Sequence, residues 1–424
     1  MSRSISLVLV LFAGCLGQFT LFAQMRPLYL ALNGVGVSAN FPMGGGGADV
    51  QVVGNYAYLA WLHDADTIHP GGLQIFDVTD PAAPRRVGGY ESSVQVNAVR
   101  VVGGYAYLAE GARRTFTNDS GAFEIIDVSD PSRPVRAGGI AIRGRANGMH
   151  VAGSYAYVPE STRWTGSNLV GALEIFDVSS PTNPVRVATF DTGGSATSVD
   201  VSGGYAYLAD GVTDLQVLDV GNPANPRRVG GYDTDEWRNY GGFEHGGAAL
   251  RMQVVGRLVY SAGEDGLHIL DVSDPANPVR VGGFNYFPFW GAFYVSGHYT
   301  YATLYSSFRN LVFLEELDVS DPANPVWTRA DPIQADASIQ VVDRRVYVPA
   351  ENLLIYEFKE VPVIRASRVG GMLILTWGDA TDFILQRAAS LTDFEWSDVP
   401  GSEGQGGIEL PMGNGGEFFR LVRP

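Results

Sequence analysis

Two carboxylates and a hydroxyl fall within four residues at Asp271-Val272-Ser273-Asp274, the head of the stretch DVSDPANPVRVGG that runs to Gly283. Oxygen ligands that dense could hold a hard cation, and two neighbouring acids could divide general-acid and general-base work. A calcium loop needs about six converging oxygens, and Pro275 and Pro278 interrupt the alternate spacing that would supply them. His63, Asp64, Asp66 and His69 crowd a second stretch, but their irregular spacing matches no zinc pattern. The other histidines, at 150, 245, 268 and 298, are scattered. There is no nucleophile elbow and no sialidase-type Asp-box. The glycine-rich runs 34–36 and 44–47 precede no helical pattern, so they are not phosphate loops. No motif specifies a cofactor, and no catalytic residue or metal ligand is assigned.

The elements that carry the aspartates explain them better. The same motif starts at Asp77, Asp127, Asp177, Asp219, Asp271 and Asp318, at spacings of 50, 50, 42, 52 and 47 residues. Tyrosines keep the same beat: Tyr56-Ala-Tyr58, Tyr105-Ala-Tyr107, Tyr155-Ala-Tyr157, Tyr205-Ala-Tyr207, then Tyr260, Tyr299-Thr-Tyr301 and Tyr347. Self-similarity at this period is the signature of a repeat fold. Two copies replace the second aspartate with Ser180 or Asn222, so a shared metal role fails, whereas a turn role survives. Pro at the second turn position presets φ, and the Asp, Ser or Asn before it can accept hydrogen bonds from the turn backbone.

Residues 96–140 show what one repeat builds. VNAVRVV alternates apolar and polar, YAYLAE follows a Gly-Gly turn, FEIIDV follows a loop, and VRAGGI follows SDPSRP. These are four short antiparallel strands. Four-stranded sheets repeated radially make a β-propeller. Six copies are complete, and a seventh, 336–358, lacks its fourth strand. Residues 25–37, MRPLYLALNGVGV, are strand-like and are expected to supply it, closing the ring and removing an exposed sheet edge. The expected fold is therefore all-β: a seven-bladed propeller over 25–361, then a separate module over 362–424.

The recurring pattern strand–GGYAYLA–loop–LQVLDV–xxPxxP, clearest at LHILDVSDPANPVRVGG, resembles the LVIVD-repeat propellers of bacterial and archaeal surface proteins. The resemblance covers residues 45–358 and implies a secreted propeller, with no catalytic residues to carry over. In the tail, LILTWGDATDFILQRAASLTDFEWSDVPG and GGEFFRLVRP resemble a small C-terminal module of secreted proteins from Verrucomicrobia and Planctomycetes. That likeness implies an immunoglobulin- or fibronectin-like sandwich.

Two sets of residues could bind a ligand. Aligning the first strand of each repeat on its apolar-polar-Val centre gives one column: Gln51, Arg100, His150, Asp200, Gln253, Tyr294 and Gln340. First strands line a propeller's axis, so Arg100, His150 and Asp200, from consecutive blades, could form a polar cluster in the channel or could hydrogen-bond blade to blade. The second set decorates one rim. Long loops and connectors at 61–72, 110–121, 159–171, 232–247 and 284–291 carry Trp61, Trp164, Trp237 and Trp290, with Arg113 and Arg163. Loops on rigid scaffolds host binding, and Trp and Arg dominate hot spots.

Composition sets the outer limits. The chain has 424 residues, 46% hydrophobic and 17% charged, as globular proteins do. A formal charge of −16 argues against nucleic acid, whose phosphates need clustered Lys and Arg. Residues 1–24, with Arg3 and then an uncharged apolar run to Ala23, read as a secretory signal. LFAGC, ending at Cys15, resembles a lipobox; the alternatives are a lipid anchor at Cys15 or cleavage after Ala23. Cys15 is the chain's one cysteine, so no internal disulfide can form. No further run is long enough to span a bilayer. The expectation is an extracytoplasmic monomer that binds a protein or carbohydrate; the competing expectation is a polysaccharide hydrolase or lyase working at the channel mouth.

Overall fold

The computed structural model describes residues 5–11, 47–61, 71–92, 94–111, 121–142, 144–161, 171–210, 215–233, 249–263, 266–284, 292–306, 311–333, 338–343, 345–349, 353–357, 365–369, 372–376, 384–388, 397–411 and 417–422. The chain divides into two compact units. One comprises residues 34–326 and 333–357; the other comprises residues 1–33, 327–332 and 358–424.

The larger unit is a seven-bladed β-propeller of antiparallel sheets. Blade one is Gly47–Val53, Tyr56–Trp61, Gly72–Asp77 and Arg85–Glu91. Blade two repeats it as Gln95–Val102, Tyr105–Gly111, Gly121–Asp127 and Val135–Ile142. Later blades begin with inner strands His150–Ala152, Ser198–Ser202, Ala249–Val255, Phe293–Ser296 and Gln340–Val342. Blade seven shows three strands among the described residues. The segment 25–37, expected to add its fourth, lies outside them. Ring closure is visible all the same. Tyr347, Leu353 and Ile355 of blade seven share one buried core with Val50, Leu59 and Phe76 of blade one.

The aspartates that opened the sequence question cap turns. Asp271 Oδ1 accepts from Ser273 N at 2.8 Å, and Asp274 Oδ1 accepts from Ala276 N at 3.1 Å. Asp77, Asp127, Asp177, Asp219 and Asp318 each accept the same bond from the residue two positions on. Hydrogen bonds from Ser273 hold the Asp271 carboxyl below the usual carboxylate range. The valine after each leading aspartate then ties two turns together. Val78, Val128, Val178, Val220, Val272 and Val319 donate their N–H groups to Asn55, Gly104, Ser154, Gly204, Arg257 and His298 in the first-to-second-strand turns.

The Gly-Gly pair found in the fourth strand of blades one, two, four and five has a packing reason. A Cβ on Gly88, Gly138 or Gly230 would fall 2.1, 2.2 or 2.2 Å from the carbonyl oxygen of Pro131, Pro181 or Pro275, the first proline of the next blade's turn. Blades one, two and four thus seat the next blade's turn against bare backbone. The arginine two residues earlier is used as well: Arg136 Nε donates to Glu124 Oε1 at 2.7 Å and Arg186 Nε to Glu174 Oε2 at 2.9 Å.

The smaller unit has a three-stranded sheet, Arg365–Val369, Met372–Thr376 and Gly407–Pro411, and a four-stranded one. The latter orders Ile5–Leu11, Glu417–Val422, Ile384–Ala388 and Ser397–Asp398. Leu373 and Leu375 of the first sheet share a core with Leu385 and Phe419 of the second. Residues 5–11, read above as part of a leader, pair antiparallel with the C-terminal strand here.

Candidate functional site

A cavity of about 340 Å³ lies where the inner strands of all seven blades meet. All seven residues of the aligned column, Gln51, Arg100, His150, Asp200, Gln253, Tyr294 and Gln340, line it. Their positions follow from strand pairing. His150, Asp200 and Gln253 sit opposite Tyr157, Tyr207 and Tyr260, tyrosines that are buried on the neighbouring strand.

Four of these residues bind blade to blade. Gln51 Oε1 accepts from Val101 N at 2.5 Å, Asp200 Oδ2 from Val254 N at 2.7 Å, and Gln253 Oε1 from Val295 N at 2.8 Å. Gln340 Oε1 accepts from Val52 N, joining the last blade to the first. In each case the donor follows the next blade's column residue by one position. An inner strand's N–H that points at a neighbouring blade would otherwise be left unpaired, at a cost of about 1–3 kcal/mol.

Arg100, His150 and Tyr294 depart from this pattern. Arginine has no acceptor to offer. Its Nη1 instead lies 2.7 Å from Asp49 Oδ2. Asp49 is saturated further by Val99 N at 3.1 Å and Ser338 Oγ at 2.7 Å. His150 Nδ1 lies 2.7 Å from Asp200 Oδ1, which also accepts from Val201 N at 2.8 Å. The cluster expected of Arg100, His150 and Asp200 is thus two separate pairs, Arg100–Asp49 and His150–Asp200. The reason is geometric: each carboxylate reaches only its adjacent blades, so Asp49 on blade one takes Arg100 of blade two and Asp200 on blade four takes His150 of blade three. The His150–Asp200 pair holds the imidazole by one nitrogen, an arrangement suited to a proton carrier.

A second layer, two residues before the column, completes the lining with Asp49, Ser198, Arg251 and Ser338. Period-two alternation puts these side chains on the channel face, so the signal was available; reading one residue per strand missed it. Arg251 differs from the rest. No described residue forms a hydrogen bond or ion pair with its guanidinium. Desolvation pushes its pKa down, Asp49 opposes that, and Arg100 adds to it.

The expected rim fares differently. Trp61 is the last residue of a strand, not a loop residue, and is only 7% exposed, its ring packed beside Gly72. Strand alternation carries the Tyr56–Trp61 strand one residue further than the loop composition suggested. Trp164, Trp237, Trp290, Arg113, Arg163 and the 63–69 His/Asp group lie outside the described residues. No group of three or more metal-ligating side chains occurs among the described residues. No helix among them is long and apolar enough to cross a membrane.

Comparison with known proteins agrees with the repeat reading. Residues 44–92, 95–140, 143–192, 193–234 and 246–285, over half the chain, match the LVIVD repeat. The sixth and seventh blades fall outside that match. No curated protein sequence matches the chain. Among solved structures, a functionally unknown protein from Desulfotomaculum acetoxidans aligns at a TM-score of 0.50 and 13% identity, over 68% of this chain and 90% of its own. A computationally designed protein, Ika8, aligns at a TM-score of 0.48 and 9% identity, over 77% of this chain and 98% of its own.

Proposed function

We propose that this chain, which belongs to the LVIVD-repeat family, is an extracytoplasmic binding module whose ligand enters the central cavity. One observation carries the reading. Four column residues each accept a backbone N–H of the next blade, whereas Arg100, His150 and Tyr294 line the cavity without accepting one, Arg100 and His150 being held by carboxylates of neighbouring blades. A ring that only needed to close could use an acceptor at every blade. The cavity volume is at the low end for small-molecule sites, about 300–1,000 Å³. The ligand is accordingly one small molecule or the tip of a larger glycan or peptide. Trp164, Trp237 and Trp290 would extend the surface beyond the cavity. The leader reading supports export, either with a lipid on Cys15 or by cleavage after Ala23. The two small sheets that share a core support the sandwich assignment for 362–424, and the chain would act as a monomer.

A second reading rests on the His150–Asp200 pair, which resembles a general-base arrangement and favours an extracellular polysaccharide hydrolase or lyase. One experiment addresses both. The full chain is screened against glycan and peptide arrays, and hits are retested with Arg100→Ala, His150→Ala and Tyr294→Phe. A binding module loses affinity in all three and leaves its ligand intact. Product formation that His150→Ala abolishes would replace binding with catalysis. Hits indifferent to all three substitutions would move the site away from the cavity.

A further inference from the structure

We infer that the cavity takes a small monoanionic carboxylate, received by Arg251 together with Arg100. This deepens the binding reading and rests on it. Four charged residues line the cavity besides His150: Asp49, Arg100, Asp200 and Arg251. Each carboxylate is already engaged by three donors. Asp49 accepts from Arg100, Val99 and Ser338; Asp200 accepts from His150, Val201 and Val254. Arg100 spends Nη1 on Asp49 and on the Val99 carbonyl at 2.6 Å. Arg251 therefore feels the field of Asp49 without a bond to it, and it is also repelled by Arg100.

An arginine in that position does not escape by losing its proton, because a guanidinium stays protonated in proteins. The charge persists and calls for an anion. A guanidinium fork binds a carboxylate through two parallel N–H···O bonds, which a lysine could not reproduce. Arg251 is the one of the four charged residues with no bonded counter-charge among the described residues, and a single guanidinium suits a monoanion, whereas a dianion would overcharge a site that already holds two carboxylates. The setting adds selectivity. The chain as a whole carries −16, so an anion drawn to this cavity is drawn by local groups and not by net charge. Gln51, Gln340 and Tyr294 supply further polar groups for hydroxyls or amides on the same ligand.

The test is calorimetric titration of the full chain with galacturonate and glucuronate, with galactose and glucose as neutral counterparts. N-acetylglycine, a mimic of a peptide C-terminus, gives a sugar-free carboxylate. Expected is binding of at least one carboxylate and none of its neutral counterpart. Whether the uronates or N-acetylglycine binds identifies the source of the group. Arg251→Met should weaken that binding about ten- to a hundredfold, the worth of one lost charged hydrogen-bond pair. Arg251→Lys, with charge but no fork, should fall between. Melting supplies an independent readout. Removing an unpaired, desolvated charge in favour of an apolar chain of similar length should leave the unliganded melting temperature unchanged or raise it. A marked fall would show that Arg251 is structural and would overturn the inference. So would equal binding of neutral and acidic sugars, or affinity unaffected by Arg251→Met; either would leave the cavity-binding reading standing with a different ligand. Loss with Arg100→Ala but not with Arg251→Met would also refute the role assigned to Arg251.

Discussion

Replacing Gly138 with alanine should loosen the seat between blades two and three. The new Cβ would lie 2.2 Å from the Pro181 carbonyl oxygen and 3.2 Å from Pro184 Cδ. Ordinary contact begins more than an ångström further out, and the obstacle is backbone that a turn with two prolines holds firmly. Either the fourth strand of blade two bends away or the turn of blade three is lifted. Overpacking of this kind costs about 1–3 kcal/mol. For a unit of this size that corresponds to a fall of ~2–5 °C in melting temperature. The assay is urea unfolding followed by far-UV circular dichroism, with the midpoint shift converted through an unchanged slope. A control separates a clash from the mere loss of a glycine. Gly153 has φ near +57° with nothing within 4 Å of its added Cβ, so Gly153→Asn, a residue that tolerates this conformation, should cost within about 0.5 kcal/mol. Ala188 occupies the equivalent position of blade three, opposite Ile175 as Gly138 is opposite Ile125, so blade three accommodates a Cβ there and the expected loss is specific to the 2.2 Å approach at Gly138. A wild-type midpoint for Gly138→Ala would refute the seat and leave the Gly-Gly motif without its packing explanation.

Glu315 is buried, and burial pushes its carboxyl up to about 8 from 4.5. The folded state therefore holds this proton more tightly than the unfolded chain. Its contribution is full below about pH 4.5 and is lost as pH rises towards 8, up to ~3 kcal/mol by pH 7; Glu315→Gln should flatten that pH dependence in urea titrations, and a parallel profile would count against it. Gln340→Leu leaves Val52 N without its acceptor and should cost about 1–3 kcal/mol, whereas His150→Ala, which frees no backbone donor, should cost less; equal losses would contradict the blade-joining role. Limited proteolysis should cut within 358–364 and yield a propeller unit with native circular dichroism; joint unfolding of both units on cutting would argue against independence. Under the export proposal, mass spectrometry of the mature chain should find either a lipid on Cys15 or a start at Gln24; a retained Ile5 would refute it and keep the strand paired with Glu417–Val422.

The repeat was legible in the sequence because its causes are local. Two-residue alternation, turn prolines and capping aspartates each act within a few positions, and their recurrence specified the blades, the turn role of Asp271 and Asp274, and the column that lines the cavity. The column's partnerships were not legible. Asp49 meets Arg100 across 51 positions, Asp200 meets Val254 across 54, and Gln340 meets Val52 across 288. One blade's sequence looks much like the next, so nothing within a copy tells which carboxylate will join backbones and which will neutralise an arginine. Trp61 shows the same limit from the other side: composition made it a loop residue, and one more residue of strand pairing buried it. Arg251 could be read as a channel-facing arginine from alternation alone. That its guanidinium has no bonded partner among the described residues was decided only when the closed ring gave Asp49 and Asp200 three other donors each.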